Sequence, residues 1–371
     1  MTADPVTLAL CGDVMLGRGV DQILPSPGDP ELREPYVADA RTYLELAEAA
    51  NGPVPRPVGY RYPWGDALAA LDAAAPAARV LNLETSVTRH GTFAPGREIH
   101  YRMHPGNLPC LAAARPDVCV LSNNHVLDFG REGLAETLRS LAAAGLRTAG
   151  AGGDAETARR PAVVPLPGGR RLLVLALGMP SSGIPHTWAA TAGRSGVHWA
   201  AGPSPATAAE AAALLRAHKR PGDLTVVSVH WGSNWGYTVP RAQTACAHAL
   251  IDAGVDLVHG HSSHHPRPLE VHGGKLVLHG CGDFIDDYEG ITGYEHYRDD
   301  LRPLYLAALE PGTGRLTELR IVPFQAYRMR LRHAGAEDAR WLGALFDRLA
   351  RGFAPGALTT TPAPVLSLRP A

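Results

Sequence analysis

The chain has 371 residues, of which 45% are hydrophobic and 19% are charged, a composition typical of a globular protein with a large core. Its 35 basic and 36 acidic residues leave a formal net charge of −1, which argues against a nucleic-acid partner or an anionic membrane surface. No apolar run approaches the roughly 20 residues that span a bilayer. The first ten residues lack the basic segment of a secretory signal. The sequence therefore predicts no membrane span. The five cysteines suggest no disulfide framework, so we also expect a cytoplasmic protein.

Short apolar runs alternate with helical patterns along the chain, which predicts a layered α/β domain. The predicted strands are Thr7–Cys11, Val80–Leu83, Val118–Leu121, Leu172–Leu177, Leu224–Val229, Leu257–His259, Lys275–Leu278, Tyr305–Leu309 and Leu316–Val322. The predicted helices are Val37–Ala49, Gly133–Ala144, Pro205–Ala217 and Arg241–Ala253. After Pro323 we expect an amphipathic helix with Trp341, Leu342, Leu345, Phe346 and Leu349 on one face.

The chain shows no linker that would divide it into two large domains. We predict one domain over residues 1–330, with a proline-rich insertion at about 25–66, and then a C-terminal helix and Pro-rich tail over residues 331–371. Long loops of this kind usually shape a binding site. We therefore expect the insertion and residues 97–104 to border the functional cleft, with Tyr60, Tyr62 and Trp64 as a wall.

Polar residues follow six of the predicted strands directly. They are Gly12-Asp13, Asn82-Leu83-Glu84, Asn123-Asn124-His125 with Asp128, His230-Trp231-Gly232, the segment His259–His265 and Cys281-Gly282-Asp283. The carboxyl ends of strands in α/β sheets face the ligand crevice, so these groups are expected to converge. Four histidines fall within His259–His265. Carboxylate, amide and imidazole groups together indicate a site for Mn, Fe or Zn.

Each of these groups taken alone also fits a structural role. A Gly-Asp pair commonly forms a turn, an Asn-Asn pair tolerates left-handed turn geometry, and a single histidine can be a hydrogen-bonded core residue. Arg18 and Arg97, considered alone, are more typical of solvated arginines than of substrate-binding ones. The functional interpretation therefore depends on the whole set and its order along the chain.

The ordered motifs resemble the CapA family, the capsule or poly-γ-glutamate biosynthesis group, which is similar to calcineurin-like metallophosphoesterases. The motifs are Gly12-Asp13-x-Met15-x-Gly17-Arg18, Asn82-x-Glu84, Asn123-Asn124-His125-x-x-Asp128, Gly150-Ala151-Gly152, His230-Trp231-Gly232 and Gly260-His261-x-x-His264. The resemblance runs from about residue 7 to residue 285. It implies a four-layer α/β/β/α sandwich of the metallophosphoesterase type, with two divalent metal ions at the strand ends.

The resemblance also assigns roles to residues. It implies six metal ligands, with Glu84 at the place of the bridging acid: Asp13, Glu84, Asn124, His230, His261 and His264. It implies three catalytic residues: His125 as the general acid or transition-state group, with Asp128 and Arg18. Met15 stands where phosphoesterases usually carry a histidine ligand. We therefore expect one site to bind metal more weakly, unless Asp283 or His265 supplies the missing donor.

Three functions fit this pattern. The first is a metal-dependent hydrolase that cleaves a phosphoester or related bond through a metal-activated water. The second is a soluble CapA-like enzyme of γ-glutamyl or other amide metabolism, including poly-γ-glutamate or secondary metabolites. The third is a non-catalytic accessory protein of polymer biosynthesis. For the first two, the expected partner is a small-molecule, γ-glutamyl or phosphoester substrate.

Overall fold

The computed structural model describes residues 4–350, 359–360 and 365–370. The strands in these residues are β1 (Val6–Val14), β2 (Ala78–Leu83), β3 (Ser86–Val87), β4 (Arg102–Met103), β5 (Val118–Val120), β6 (Thr148–Ala149), β7 (Ala151–Gly152), β8 (Ala162–Pro165), β9 (Arg171–Gly178), β10 (Gly196–Val197), β11 (Leu224–His230), β12 (Leu257–His261), β13 (Leu269–His272), β14 (Lys275–Leu278), β15 (Asp283–Ile285), β16 (Leu301–Leu309), β17 (Leu316–Ala326), β18 (Leu331–His333), β19 (Thr359–Thr360) and β20 (Leu366–Leu368). The α-helices are α1 (Arg18–Ile23), α2 (Arg41–Asn51), α3 (Ala67–Ala74), α4 (Leu108–Ala113), α5 (Gly130–Ala143), α6 (Ala155–Arg159), α7 (Pro205–Arg216), α8 (Arg241–Asp252) and α9 (Ala336–Ala350). No helix in the described part of the chain is long and apolar enough to cross a membrane.

Two large sheets organise the described residues. The first has the order β19–β20–β17–β16–β1–β2–β5–β6, with β15 beside the end of β1 and β18 beside β17. The second has the order β13–β14–β12–β11–β9–β8. Strands β1, β2, β5 and β6 run parallel, and so do β9, β11, β12 and β14. Each sheet therefore gathers several strand carboxyl ends along one edge.

Alternating side chains of the strands separate the layers. In β1, Leu8 and Leu10 pack between the two sheets against Val174 of β9. Ala9 of β1 faces the other way, toward the cluster that includes helices α1 to α5. Leu173 of β9 faces the cluster that includes helices α7 and α8. Because successive strand residues point to opposite faces, both sheets are covered on two sides. The result is the four-layer α/β/β/α sandwich that the sequence predicts.

The predicted strands all occur, within a few residues of their expected ends. The predicted first helix begins at Arg41, four positions after Val37. The sequence pattern does not reveal the short helices α1 and α3 or the edge strands β8 and β13. Short elements carry few periodic positions, so their apolar residues give little signal.

The predicted amphipathic helix is α9. Leu342, Leu345 and Phe346 are buried in the cluster between the sheets, and Trp341 and Leu349 pack against that cluster. Strand β18 and strand β20 both pair with β17 of the first sheet. The predicted Pro-rich tail lies partly outside the described residues, which omit 351–358 and 361–364. The division of the chain at residue 330 stays a prediction.

The aromatic residues predicted as a cleft wall lie elsewhere. Trp64 is fully buried in the core, where its Nε1 donates a hydrogen bond to the carbonyl of Cys110. Tyr60 and Tyr62 pack against the same core cluster. This part of the prediction is wrong because the proline-rich insertion folds back onto the outer face of the first sheet. Tyr43 of α2 is the insertion residue that reaches the cleft.

Candidate functional site

Asp13 occupies the end of β1, where two neighbouring strands meet it. The strand register places it opposite Asn82 of β2 and Asp283 of β15. The preceding residue, Gly12, has no room for a side chain, since an added Cβ would lie 1.7 Å from the carbonyl oxygen of Gly282. Asp13 itself is fully buried. The glycine therefore allows β15 to approach closely and brings two carboxylates to one strand end.

An amide side chain holds two of the buried carboxylates. The Nδ2 of Asn82 donates hydrogen bonds to Asp13 Oδ1 at 2.8 Å and to Glu84 Oε2 at 2.9 Å. The Nδ2 of Asn123 in turn donates to Asn82 Oδ1 at 3.0 Å. Neither Asn82 nor Asn123 was predicted as a site residue. The two-residue spacing of Asn82 and Glu84 was the available signal, because residues i and i+2 of a strand point to the same face.

The second sheet contributes two histidines opposite these acids. His230 of β11 pairs in register with His261 of β12, and their Nδ1 atoms lie 2.7 Å apart. His261 Nδ1 is 3.8 Å from Asp13 Oδ1, and its Nε2 is 2.9 Å from Ser228 Oγ. His230 Nε2 is 2.8 Å from Asn124 Oδ1. Nitrogen atoms from the second sheet thus face oxygen atoms from the first.

Two groups of three ionisable side chains bring their donor atoms within 4.8 Å of one another in the described residues. One group is Asp13, His230 and His261, and the other is Asp13, His264 and Asp283. In the second group, His264 Nδ1 lies 3.0 Å from Asp283 Oδ1. Asp13 is common to both groups. Glu84 lies beside the first, with Oε1 3.7 Å from His230 Nε2.

The electrostatics of these groups suit a bound cation. Burial, followed by the charge of Asp283, raises the pKa of Asp13 to about 7. Burial and the charge of Asp13 raise the pKa of Glu84, and burial raises that of Asp283 to about 6. Burial lowers the pKa of His230 and His261, so these imidazoles are neutral at pH 7.

The side chains of the two donor groups are therefore suitable ligands for a divalent metal ion. The buried acids repel one another, the neutral imidazoles of His230 and His261 each carry one nitrogen lone pair, and Oδ2 of Asp283 has no hydrogen-bond partner among the described residues. A divalent cation removes that repulsion and takes up these lone pairs. Mixed oxygen and nitrogen donors fit Mn, Fe or Zn.

His125 and Asp128 form a hydrogen-bonded pair beside the metal-ligand candidates. His125 Nδ1 lies 2.6 Å from Asp128 Oδ2, which also accepts a hydrogen bond from the backbone N–H of Tyr101 at 2.7 Å. His125 Nε2 faces Glu84 Oε1 at 3.9 Å. Burial and the charge of Arg97 lower the pKa of His125, while burial raises that of Asp128 to about 7. The pair fixes the imidazole so that Nε2 is directed toward the buried acids.

Arg18 borders the cleft, but its charge is already compensated. Its guanidinium donates hydrogen bonds to Asp287 at 3.0 Å and to Glu34 at 2.9 Å, and it lies over the rings of Tyr43 and Tyr101. The side chain lines a cavity of about 170 Å³ whose wall also includes His264. This pairing favours a role in shaping the cavity wall over the catalytic role that the family resemblance implies for Arg18.

His265 and Met15 lie outside the convergent donors. The His265 ring stacks on Tyr297 with centroids 4.5 Å apart, and its Nδ1 lies 3.0 Å from the carbonyl of Pro266. The neighbouring His264 instead places its Nδ1 3.0 Å from Asp283 Oδ1. Of the two candidates for the donor that Met15 does not provide, the structure places Asp283 in position and His265 in an aromatic cluster.

Comparisons with known proteins place the chain among capsule synthesis proteins. The sequence profile of the family described as bacterial capsule synthesis protein PGA_cap matches residues 7–288. A probable polyglutamine synthesis accessory protein of Mycobacterium tuberculosis (strain H37Rv) is 52% identical over 351 residues, covering 94% of this chain and 92% of that protein. The PGA biosynthesis protein CapA of Bacillus subtilis (strain 168) is 27% identical over 235 residues, covering 63% of this chain and 58% of that protein.

Among solved structures, the 5'-nucleotidase precursor from Thermus thermophilus aligns with 95% of this chain and 60% of its own length, at 15% identity and a TM-score of 0.48. The profile match covers most of the chain, and the mycobacterial relative is similar over nearly its whole length. The resemblance predicted from the motifs is confirmed: the chain belongs to the bacterial capsule synthesis PGA_cap family.

Proposed function

We propose that the protein is a metal-dependent hydrolase that cleaves a phosphoester or a related bond. One observation carries the proposal: Asp13 belongs to two adjacent groups of buried donors, and a hydrogen-bonded His–Asp pair lies beside them. Two ions that share one carboxylate are typical of sites that clamp a transferring phosphoryl group.

The residues divide between two candidate ion sites. Asp13, His230 and His261, with Glu84 and Asn124 beside them, would hold one ion. Asp13, His264 and Asp283 would hold the other. This division favours Asp13 as the shared ligand, whereas the family resemblance places Glu84 at the bridging position. When bound, divalent cations supply Lewis acidity that polarises the scissile group and activates water.

His125 is suited to proton transfer at this site. Asp128 accepts a hydrogen bond from Nδ1–H, so Nε2 of the neutral ring carries the lone pair, which lies 3.3 Å from Asn124 Nδ2. That nitrogen can take a proton from the attacking water and return it to the leaving group. The backbone N–H of Tyr101 holds Asp128 in place, so the imidazole keeps its orientation through the reaction.

Metal content and turnover test the proposal together. The metal-free protein is titrated with Mn²⁺, Fe²⁺ and Zn²⁺ and then assayed on a phosphomonoester, a phosphodiester and a γ-glutamyl anilide. We expect saturable metal binding, metal-dependent turnover of a phosphoester, and loss of both in the Asp13→Asn variant. Absence of metal binding, or turnover that is equal with and without metal, contradicts the proposal.

A second candidate function is hydrolysis or transfer at a γ-glutamyl amide bond. It is favoured by the names of the relatives, which refer to polyglutamine synthesis and PGA biosynthesis. Turnover of the γ-glutamyl anilide without turnover of either phosphoester supports this second function. Metal binding without turnover of any of the three supports a non-catalytic accessory role.

We infer that the protein works in the cytoplasm. All five cysteines are buried free thiols. Disulfides are rare in the reducing cytosol, and free thiols are the common state there.

A further inference from the structure

A second cavity, of about 370 Å³, has Leu127 and Gly183 in its wall. Its wall includes Arg97, Arg131 and Thr187, and none of its lining residues is an aspartate or glutamate. The cavity therefore has two guanidinium groups and no carboxylate in its wall.

Arg97 is anchored between this cavity and the His125–Asp128 pair. Its Nη2 donates a hydrogen bond to the carbonyl of Asn124 at 2.6 Å, and its Nη1 donates to the carbonyl of Gly183 at 2.8 Å. Its Nε has no hydrogen-bond partner among the described residues and lies 3.8 Å from Asp128 Oδ1. Each terminal nitrogen of a guanidinium carries two protons, so Arg97 keeps donors beyond the two it uses.

Arg131 is fixed by carbonyl groups alone. Its Nε donates to Ser195 at 3.1 Å and its Nη2 to Thr187 at 2.7 Å. No described carboxylate lies within 4.0 Å of its guanidinium, and burial and the charge of Arg194 lower its pKa. An arginine that is held in place without a counter-charge is well suited to receive an oxyanion. Its position in the first turn of α5 adds the partial positive charge of a helix N-terminus.

We propose that the cavity lined by Arg97 and Arg131 is a subsite for an oxyanion group of the substrate, set apart from the bond that is cleaved. The proposal rests on the proposed function and narrows its substrate class: the substrate carries a second negative group. Arg97 contacts the carbonyl of Asn124 directly, so one loop connects this subsite to the candidate metal ligands. The carboxylate of a glutamyl residue and a phosphate both present negatively charged oxygens, which guanidinium groups bind through paired hydrogen bonds.

Binding to the metal-free full chain tests the subsite without relying on catalysis. Isothermal calorimetry measures the affinity for two probes, γ-glutamylglutamate and inorganic phosphate, after the chelator has been dialysed away. We expect saturable binding of at least one probe, and the tighter probe identifies the source of the oxyanion. The Arg131→Gln substitution removes the charge-assisted hydrogen bonds between Arg131 and the oxyanion, so the affinity of this variant for the probe should fall about tenfold.

Two further variants test whether the loss of affinity is specific to the guanidinium group of Arg131. Arg139→Gln, on the exposed face of the same helix, should leave the affinity unchanged. Arg131→Lys keeps the charge but not the planar fork, and it should bind with intermediate affinity even if Arg131→Gln fails to fold. Equal affinities for the wild-type, Arg131→Lys and Arg139→Gln proteins, or no saturable binding of either probe, overturn the subsite. Arg131-dependent binding in a protein without hydrolase activity leaves the subsite standing and contradicts the proposed function alone.

Discussion

At the scale of single residues, the candidate site is defined by buried carboxylates that neighbouring groups hold in place. Asn82 binds Asp13 and Glu84 together, although their pKa values are raised by burial and by mutual repulsion. A buried acid without a compensating partner is costly. These acids therefore have a functional explanation in a bound cation, and the histidines around them divide into ligand candidates and a proton-transfer candidate.

Separate alanine substitutions of His125 and His261 should distinguish those two roles. His125→Ala should lower turnover by about 10²–10⁴-fold and leave metal stoichiometry unchanged, because His125 faces the acids without belonging to either donor group. His261→Ala should lower metal content itself. Metal analysis by mass spectrometry, together with steady-state kinetics on both variants, checks the distinction. Equal metal loss in the two variants would contradict it.

Asp283 should account for the donor that Met15 does not provide. Since Asp283 lies within one donor group with Asp13 and His264, we expect two ion sites of comparable affinity in place of one strong and one weak site. Asp283→Asn should weaken one site by more than the roughly 10–100-fold typical of losing a partner outside the ligand shell. Calorimetric titration measures both affinities. His265→Phe keeps the aromatic packing and serves as the control, so a loss of metal there would implicate His265 after all.

At the scale of secondary-structure elements, short segments near the site connect the two sheets. His198 is an example: its backbone N–H donates to the carbonyl of Gly150, its carbonyl accepts from the backbone N–H of Gly178, and its Nδ1 lies 2.8 Å from the carbonyl of Ala176. The Oγ of Ser122, two residues after β5 of the first sheet, also donates a hydrogen bond to the His198 carbonyl at 3.2 Å. The imidazole is buried between these segments, and no carboxylate of the described residues lies within 4.0 Å of it.

The free energy of unfolding should depend on pH through the buried imidazole of His198. Burial lowers the pKa of His198 to about 4, whereas the unfolded value is near 6.5. Between these values the unfolded chain binds a proton that the folded chain does not, so stability falls as pH drops from about 6.5 to 4. The loss is up to about 3 kcal/mol at the low end of this window.

Urea unfolding of the wild type and His198→Gln at pH 7 and pH 4.5 measures this effect. The variant should be less stable at pH 7 but should lose less stability on acidification. His218→Gln, at an exposed position, is the matched control and should follow the wild type. If the His198 variant shows the same pH dependence as the wild type, His198 is not the titrating group.

At the scale of the whole molecule, the candidate metal centre lies where the two sheets meet. Asp13 lies at the end of β1 and Glu84 directly follows β2 in the first sheet, whereas His230 and His261 end strands of the second. The backbone N–H of Ser262 donates a hydrogen bond to Asp13 Oδ2 at 3.1 Å across this junction. Metal ligands drawn from both sheets would cross-link the sandwich, so metal binding should stabilise the entire fold.

Thermal unfolding with and without metal tests that coupling. At a free metal concentration about 100 times the dissociation constant, the folded state gains about 2.7 kcal/mol, which raises Tm. Asp13→Asn should lose most of the rise because Asp13 is common to both donor groups. Glu337→Gln, an exposed acid on α9, should keep it. A metal-dependent rise that is the same in both variants would place the ions elsewhere.

Much of this architecture is determined by the sequence alone. Short apolar runs define the long strands, and the polar residues at or just after the ends of β1, β2, β5, β11 and β12 indicate where the site lies. Both signals are local, because apolar runs and strand-end positions depend on neighbouring residues. The ordered motifs were also sufficient to identify the family.

Only the tertiary structure decided which of these residues share a site. Arg18 is compensated by Asp287, which lies 269 positions away, and Trp64 is buried beneath the first sheet. Asp283 joins the donors because β15 pairs with β1, whereas the ring of His265 packs against Tyr297. Such outcomes depend on contacts between distant segments and on the direction of individual side chains, and no local pattern encodes either.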